Sequence, residues 1–363
     1  MSQPTVLLGM SGGVDSSVAA SLLVAQGYRV SGITLQVWEH EDESVAASKR
    51  WQERGCCKVG LARFVAQRLG ITHEVVDIRE RFRRGVIDDF VAGYLAGTTP
   101  NPCVRCNERV KIKELIDLAA ERGIDYVATG HYARIIKGSG GLELHCANDA
   151  RKDQSYFLYR LQQSWLPKIL FPVGHMQKAD VWTAAGGLEL PADELKESQE
   201  ICFVSHGDYR SFLAQEAPDA HRPGDMVDVS GRTLGRHDGI AFFTPGQRRG
   251  LGVATGERLY VQRVDPASNL VVLGDDDALY QAECLIADLN LLDDRMLTDP
   301  QAVTVKIRYA TPPTPATIER GESAWTIRVR FASPQRALSP GQSAVFYDGS
   351  RVVGGGIIQS SHP

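Results

Sequence analysis

Between Thr5 and Leu22 the chain passes from an apolar run, through Gly9-Met10-Ser11-Gly12-Gly13-Val14-Asp15-Ser16, into residues with helical spacing. Thr5 to Leu8 has the length and composition of a short buried strand, and Val14, Val18 and Leu22 recur at i, i+4 and i+8. A strand, a glycine-rich turn and a helix N-terminus in that order make an anion site. Unpaired backbone N–H groups and the positive end of the helix dipole face the same point. Gly12 and Gly13 let the backbone turn tightly and approach a phosphate with no Cβ in the way. Ser11, Ser16 and Ser17 add hydroxyl donors, and Asp15 is placed to hold a magnesium ion. The lysine of a G-x-x-x-x-G-K-[ST] loop is missing, so this is a different phosphate turn.

The octapeptide resembles the S-G-G-x-D-S loop of ATP pyrophosphatases. The resemblance implies that Gly9, Met10, Ser11, Gly12, Gly13, Val14, Asp15 and Ser16 grip the β and γ phosphates of ATP. The α phosphate is then attacked, AMP is transferred and pyrophosphate leaves.

The first ~150 residues alternate strand and helix, which predicts a doubly wound parallel sheet with ligands at the carboxyl ends of its strands. Strands are expected at Thr5–Leu8, Arg29–Val37, His73–Ile78 and Asp125–Gly130, and helices at Asp15–Gln26, Lys58–Leu69, Arg81–Ala96 and Glu108–Arg122. The phosphate turn, the Leu35 region and Thr129-Gly130-His131 should therefore share one crevice. From Arg151 to about Phe212 the pattern is irregular and helical, with proline breaks. Dense turn signals then predict a small β-rich central domain over 213–275, and alternating runs after the acidic stretch predict a C-terminal antiparallel barrel over 276–363. Residues 1–212 make the catalytic domain, in which about 151–212 form a helical extension.

Hydrophobic residues make up 43% and charged residues 23% of the 363, as in soluble globular chains of two or three domains. No run approaches the ~20 apolar residues of a membrane span, and the N-terminus has no signal-peptide pattern. The expectation is a cytoplasmic protein with no membrane partner. There, seven cysteines point to chemistry or metal binding rather than structural disulfides. The net charge of −4 argues weakly against a nucleic-acid partner, but residues 301–363 carry seven basic side chains against three acidic ones. That balance suits a local phosphate backbone and equally suits solvated strand faces.

Thr99-Pro100-Asn101-Pro102-Cys103-Val104-Arg105-Cys106-Asn107 reads as a proline-braced loop feeding a helix from Glu108, with Asn107 as its N-cap. A thiol there has a stabilised thiolate, and Arg105, Arg109 and Lys111 add positive potential. Cys106 thus has the setting of a nucleophile, the alternative being a small buried hydrophobe. Cys202, in Ser198-Gln199-Glu200-Ile201-Cys202-Phe203, says little alone.

Thr-Pro-Asn-Pro-Cys-x-x-Cys-Asn, Ala-Thr-Gly-His-Tyr, Lys-Asp-Gln-Ser-Tyr-Phe-Leu, Ser-Gln-Glu-Ile-Cys-Phe, Thr-Pro-Gly-Gln-Arg-x-Gly-Leu and Pro-Gly-Gln-Ser-Ala-Val-Phe-Tyr follow the phosphate turn in order. In this the whole chain resembles the bacterial tRNA-specific 2-thiouridylases, which replace O2 of the wobble uridine of lysine, glutamate and glutamine tRNAs with sulfur. By that resemblance Leu35 and Gly130 border the adenine and ribose, Cys202 carries a persulfide, and Cys106 is the nucleophile. Cys106 either attacks the activated carbon or releases sulfide from the persulfide, leaving a transient Cys106–Cys202 disulfide. Asn101, Pro102 and Cys103 match the loop that holds the target base. His131, Lys152-Asp153-Gln154, Arg308-Tyr309 and Gln342 match tRNA contacts. ATP with magnesium, tRNA and a sulfur donor (a cysteine desulfurase or a relay protein) are the implied ligands, acting on a monomer.

Many members have Asp where Cys103 stands. Cys103, Cys106 and Cys202 therefore also read as possible ligands of an iron–sulfur cluster with one open iron. Adjacent Cys56 and Cys57 are weaker candidates for zinc, while Cys146 and Cys284 look structural. A different reading is an adenylating ligase that displaces the activated oxygen with nitrogen and needs no distant cysteine pair.

Overall fold

A computed structural model of the chain describes residues 3–38, 59–138, 140–188, 201–204, 208–253, 256–293, 300–323 and 325–359. Cys56 and Cys57 lie outside the described residues. The chain divides into two compact units. One comprises Met1–Val86, Cys103–Phe203 and Ser350–Val352, and the other Ile87–Pro102, Val204–Gly349 and Val353–Pro363.

In the first unit the apolar runs become strands β1 (Thr5–Gly9), β2 (Arg29–Gln36), β3 (Thr72–Asp77) and β4 (Tyr126–Ala128). A hairpin of β5 (Ala133–Gly138) and β6 (Gly141–Cys146) follows, then the two-residue β7 (Ile169–Leu170). The parallel sheet has the order β3-β2-β1-β4-β7. Val6, Leu7 and Leu8 of β1 are all buried, because both faces of the central strand are covered. Helix α1 (Val14–Ala25) lies over the sheet with the helices Val59–Leu69 and Lys178–Gly186. Val14, Val18, Leu61, Val65 and Val181 share one core with Val6 and Leu8. Burial of each large side chain there stabilises the fold by about 1.5–3 kcal/mol.

The strand order reverses at β1, with β2 and β3 on one side and β4 on the other. A crevice outside the carboxyl ends of β1 and β4 is where such sheets bind ligands. The expected strands are all present, with ends displaced by one or two residues. Between Ser155 and His175 the chain is irregular, with 3₁₀ turns at Ser155–Phe157, Gln163–Lys168 and Pro172–His175. The hairpin was not anticipated, nor was β7, whose two residues carry no periodicity.

In the second unit β8 (Gly224–Asp228), β9 (Thr233–His237), β10 (Tyr260–Asp265) and β11 (Leu270–Gly274) form a sheet of order β10-β11-β8-β9. The barrel comprises β12 (Tyr280–Leu291), β13 (Gln301–Lys306), β14 (Thr314–Arg320), β15 (Ile327–Arg336), β16 (Ser343–Asp348) and β17 (Arg351–Ile358). Pairing of β12 with both β15 and β17 closes it around Ile286, Val305, Ile318, Val329, Phe346 and Val353. The first barrel strand falls in the acidic stretch 275–299, ahead of the alternating runs that signalled the barrel. Glu283 is tolerated there because Arg328 and Arg330 approach it across the sheet, each at 3.5 Å. Among the described residues no helix is long and apolar enough to cross a membrane.

Candidate active site

The phosphate turn leaves β1 at Gly9 and enters α1 at Val14, with Gly13 as the N-cap residue and Gly12 at a φ of +74°. That left-handed conformation is why a glycine stands at 12. The hydroxyls of Ser16 and Ser17 both donate to the Gly13 carbonyl, at 3.0 and 2.9 Å. Ser17 is fully buried, so its hydroxyl braces the turn from within, whereas Ser11 lies exposed at the open side. Met10 is buried and locked to β2, its N–H donating to Ile33 O and its carbonyl accepting from Thr34 Oγ1. Leu35, near the end of β2, is buried.

From β4 the chain runs into Thr129-Gly130-His131. A Cβ at Gly130 would sit 2.7 Å from Ser16 N and 2.8 Å from Asp15 C. The Gly130 backbone therefore lies directly against the N-terminus of α1, which only glycine allows. Thr129-Gly130-His131 and the phosphate turn are thereby brought side by side.

Asp15 is not alone. Its Oδ1 accepts from Tyr132 Oη at 2.7 Å and from Lys178 Nζ at 2.6 Å. The Lys178 side chain is only 10% exposed, and its ammonium lies over the rings of Tyr132 and Trp182. Gln154 fixes Tyr132 in turn, its Oε1 accepting from the Tyr132 N–H at 2.9 Å. Sequence reading missed Tyr132 and Lys178. Neither belongs to the phosphate-turn motif, and Lys178 follows Asp15 by 163 residues.

The cysteine helix corrects two expectations. Helical structure begins at Pro102, not Glu108, and continues as Pro102–Cys106, a π-turn Asn107–Lys111 and Ile112–Glu121. Proline at the first helical position, after Asn101, was the true start signal. Asn107 is accordingly no cap. It is buried inside the helix, its amide directed at the Phe157 carbonyl 3.3 Å away. Cys106 is only 5% exposed, and burial pushes its thiol up to about 12, the reverse of the low value expected at a helix terminus. Lys111 pulls it back in part, through its charge and a backbone hydrogen bond.

Arg105 and Arg109 are both engaged by Glu108. Glu108 takes Arg105 at 3.0 Å, Arg109 at 3.7 Å and the buried Arg160 at 2.7 Å. Lys111 is a cation whose charge reaches the thiols. It acts on Cys103, Cys106 and His131 together.

The structure places Cys202 near enough to raise both Cys103 and Cys106, and Cys103 near enough to raise Cys106. Cys103 is open to solvent by surface area, yet crowding by surrounding atoms pushes its thiol up. Cys202 is half-buried and tethered by its neighbour Phe203, which packs edge-on against Phe82 and Trp38. All three are free thiols, so the expected Cys106–Cys202 bond is not formed here. Among the described residues no group of three His, Cys, Asp or Glu side chains is arranged to hold a metal.

His131 has Nδ1 2.6 Å from Thr129 Oγ1 and stands edge-on to Phe171. Burial first, then Lys111, lower it to about 3, so its ring is neutral at physiological pH. Asp153 is buried and accepts from the Ala147 and Ser155 N–H groups and from Ser155 Oγ. In the second unit Arg308 donates to the Ala337 carbonyl and to Ser339 Oγ, while Tyr309 is exposed beneath the Lys306 ammonium. Gln342 Nε2 donates to the Thr99 carbonyl at 2.9 Å, and Thr99 N–H donates to the Pro340 carbonyl at 2.7 Å. Gln342 thus holds the segment that immediately precedes Asn101 and Pro102.

A reversed parallel sheet, a lysine-free phosphate turn at its switch point and clustered thiols define a nucleotide-dependent enzyme with sulfur chemistry. Matches to known families narrow the class. The model described as "tRNA methyl transferase HUP domain" matches residues 4–206, the "tRNA methyl transferase PRC-barrel domain" 210–275 and the "Aminomethyltransferase beta-barrel domain" 281–358. The chain is 45% identical over 363 residues to the tRNA-specific 2-thiouridylase MnmA of Magnetococcus marinus, covering 99% of this chain and 100% of that one. It is 44% identical to the protein of that name from Acetivibrio thermocellus, with 99% and 100% covered, and 43% identical to that from Clostridium perfringens, with 99% of each covered. The chain belongs to the tRNA-specific 2-thiouridylase family.

Proposed function

We propose that this protein uses ATP to replace O2 of the wobble uridine of tRNA with sulfur drawn from a persulfide on Cys202. One observation carries the reading. Gly130 lies against Asp15 of the phosphate turn, and His131, the next residue, shares the field of Lys111 with Cys103 and Cys106. The phosphate turn and the thiols therefore address one reacting centre. The family-model descriptions speak of methyl transfer, but methyl transfer has no use for a phosphate turn or paired thiols.

In this reading the uridine leaves the anticodon stack and is held by Asn101, Pro102 and Cys103. Its O2 attacks the α phosphorus of ATP, the bond to the β-phosphate oxygen breaks, and pyrophosphate departs into the turn formed by Gly9 to Ser16. Leu35 and Gly130 line the adenosine side. A magnesium ion bound through Asp15 would supply charge neutralisation on the phosphates. The Cys106 thiolate then attacks Sγ of the Cys202 persulfide, forming the Cys106–Cys202 disulfide and expelling hydrosulfide. Hydrosulfide adds to C2 of the uridine and AMP leaves. A thiol reductant returns both cysteines, and a cysteine desulfurase or relay protein reloads Cys202. Lys152, Arg308 and Tyr309 contact the tRNA outside the pocket.

The test incubates the protein with tRNA, ATP, cysteine and a cysteine desulfurase, and follows AMP, pyrophosphate and 2-thiouridine. The three should form in equal amounts. Cys106→Ser should accumulate an added sulfur mass on Cys202, whereas Cys202→Ser should carry none and still release some pyrophosphate. Thiolation that survives loss of both cysteines would overturn the reading.

A further inference from the structure

Lys178 has no role in the scheme above, yet its position is unusual. It opens the helix Lys178–Gly186, its backbone N–H donates to Asp149 Oδ2 at 3.0 Å, and its side chain is driven inward rather than into solvent. There it meets Asp15 Oδ1 at 2.6 Å, with Tyr132 on the same oxygen. Tyr132 is itself buried and its backbone is pinned on both sides by Gln154. Both donors meet the same oxygen, Oδ1, of an Asp15 side chain that is still 32% exposed.

A sequestered ion pair of this kind contributes little to stability, because desolvation offsets most of the attraction. Its value lies in exchange. A triphosphate arriving at the N-terminus of α1 brings several negative charges beside a carboxylate that repels them. A lysine already at that carboxylate can turn toward the phosphate oxygens without being desolvated again.

We propose that Lys178 is the cation missing from the phosphate-turn motif: it holds Asp15 in the nucleotide-free enzyme and transfers its ammonium to the pyrophosphate part of ATP on binding. The lysine that other phosphate loops carry within the loop itself is here supplied from a distant helix. This proposal rests on the phosphate-turn reading given above.

Inorganic pyrophosphate and AMP are the probes, and calorimetry on the full-length protein is the measurement. The wild type should bind both. Lys178→Met should bind pyrophosphate weaker by about tenfold or more, as expected for a lost charge-assisted contact, and bind AMP unchanged. Lys178→Arg should recover part of the difference. A merely structural lysine would weaken both probes together, and that outcome, or equal pyrophosphate binding by Lys178→Met and wild type, overturns the proposal. If Lys178→Met does not fold, the comparison moves to Asp15→Asn, where the ion pair is already gone. Asp15→Asn/Lys178→Met should then bind pyrophosphate at least about tenfold more weakly than Asp15→Asn alone, and equality refutes the role. A wild type that binds neither ATP nor pyrophosphate would instead refute the phosphate-turn reading itself.

Discussion

Cys106 should be a sluggish nucleophile in the substrate-free enzyme, and its reactivity should climb with pH far beyond the ordinary thiol range. With its thiol pushed up to about 12, the thiolate fraction at pH 8 is about one part in ten thousand. A free cysteine with a value of ~8.5 is about one quarter ionised at that pH, so the deficit is roughly two-thousandfold. The assay is timed iodoacetamide labelling of the resting protein between pH 7 and 10, quenched and read peptide by peptide by mass spectrometry. Labelling of Cys106 should rise about tenfold per pH unit without levelling off. Burial that acted only as a steric barrier would slow labelling at every pH but leave a plateau near 9. Lys111→Met sharpens the test. Lys111 lowers the Cys106 thiol and lowers His131, so its removal must push the thiol further up and bring the imidazole back toward its ordinary value. Labelling should slow by a few-fold, consistent with about 1 kcal/mol or less for one exposed charge. A Cys106 labelled at pH 7.5 as fast as free cysteine would refute the reasoning.

Gly130→Ala should weaken ATP binding by at least about tenfold, since its methyl group meets backbone atoms of Asp15 and Ser16 that cannot swing aside; nucleotide titration reads it, and an unchanged affinity would show that the turn tolerates displacement. Asp15→Ala should abolish pyrophosphate release while leaving tRNA retention on filters intact, and wild-type pyrophosphate release would disprove the assignment. Arg308→Ala should weaken tRNA binding and reduce the slope of log affinity against log salt by about one unit. Part of its guanidinium is held by Ala337 and Ser339, so an unchanged slope would assign it to barrel structure instead. Cys103→Asp should retain thiolation, and loss of activity together with bound iron would revive a cluster.

The α/β sheet and its phosphate turn were legible because their signals are local. Val6 to Leu8 are apolar on both faces, and the glycines that follow have one conformational use. The cysteine helix was legible in existence but not in its start. Asn107 read as the cap and Pro102 as a loop residue, although proline suits the first helical turn. That six-residue error inverted the acidity of Cys106, since a thiol beyond the helix's free N–H groups gains no field and loses its water. The β12 strand was hidden by acids whose partners, Arg328 and Arg330, stand more than forty residues later. Lys178 was invisible for the same reason. Nothing near position 178 announces that its neighbour in space is Asp15.

The membership of Ile87–Pro102 in the second unit bears on how the chain is made. The segment leaves the ribosome early, but Pro340 and Gln342, which hold Thr99, come near the end of synthesis. Until then the residues just ahead of Cys103 lack these native hydrogen bonds. A chain cut near residue 206, at the edge of the first family match, would keep its phosphate turn and all three thiols yet lose the grip on Thr99. The barrel is therefore no detachable appendage, and a nascent chain cannot fix its Thr99 segment before the residues that open the last strands have been translated.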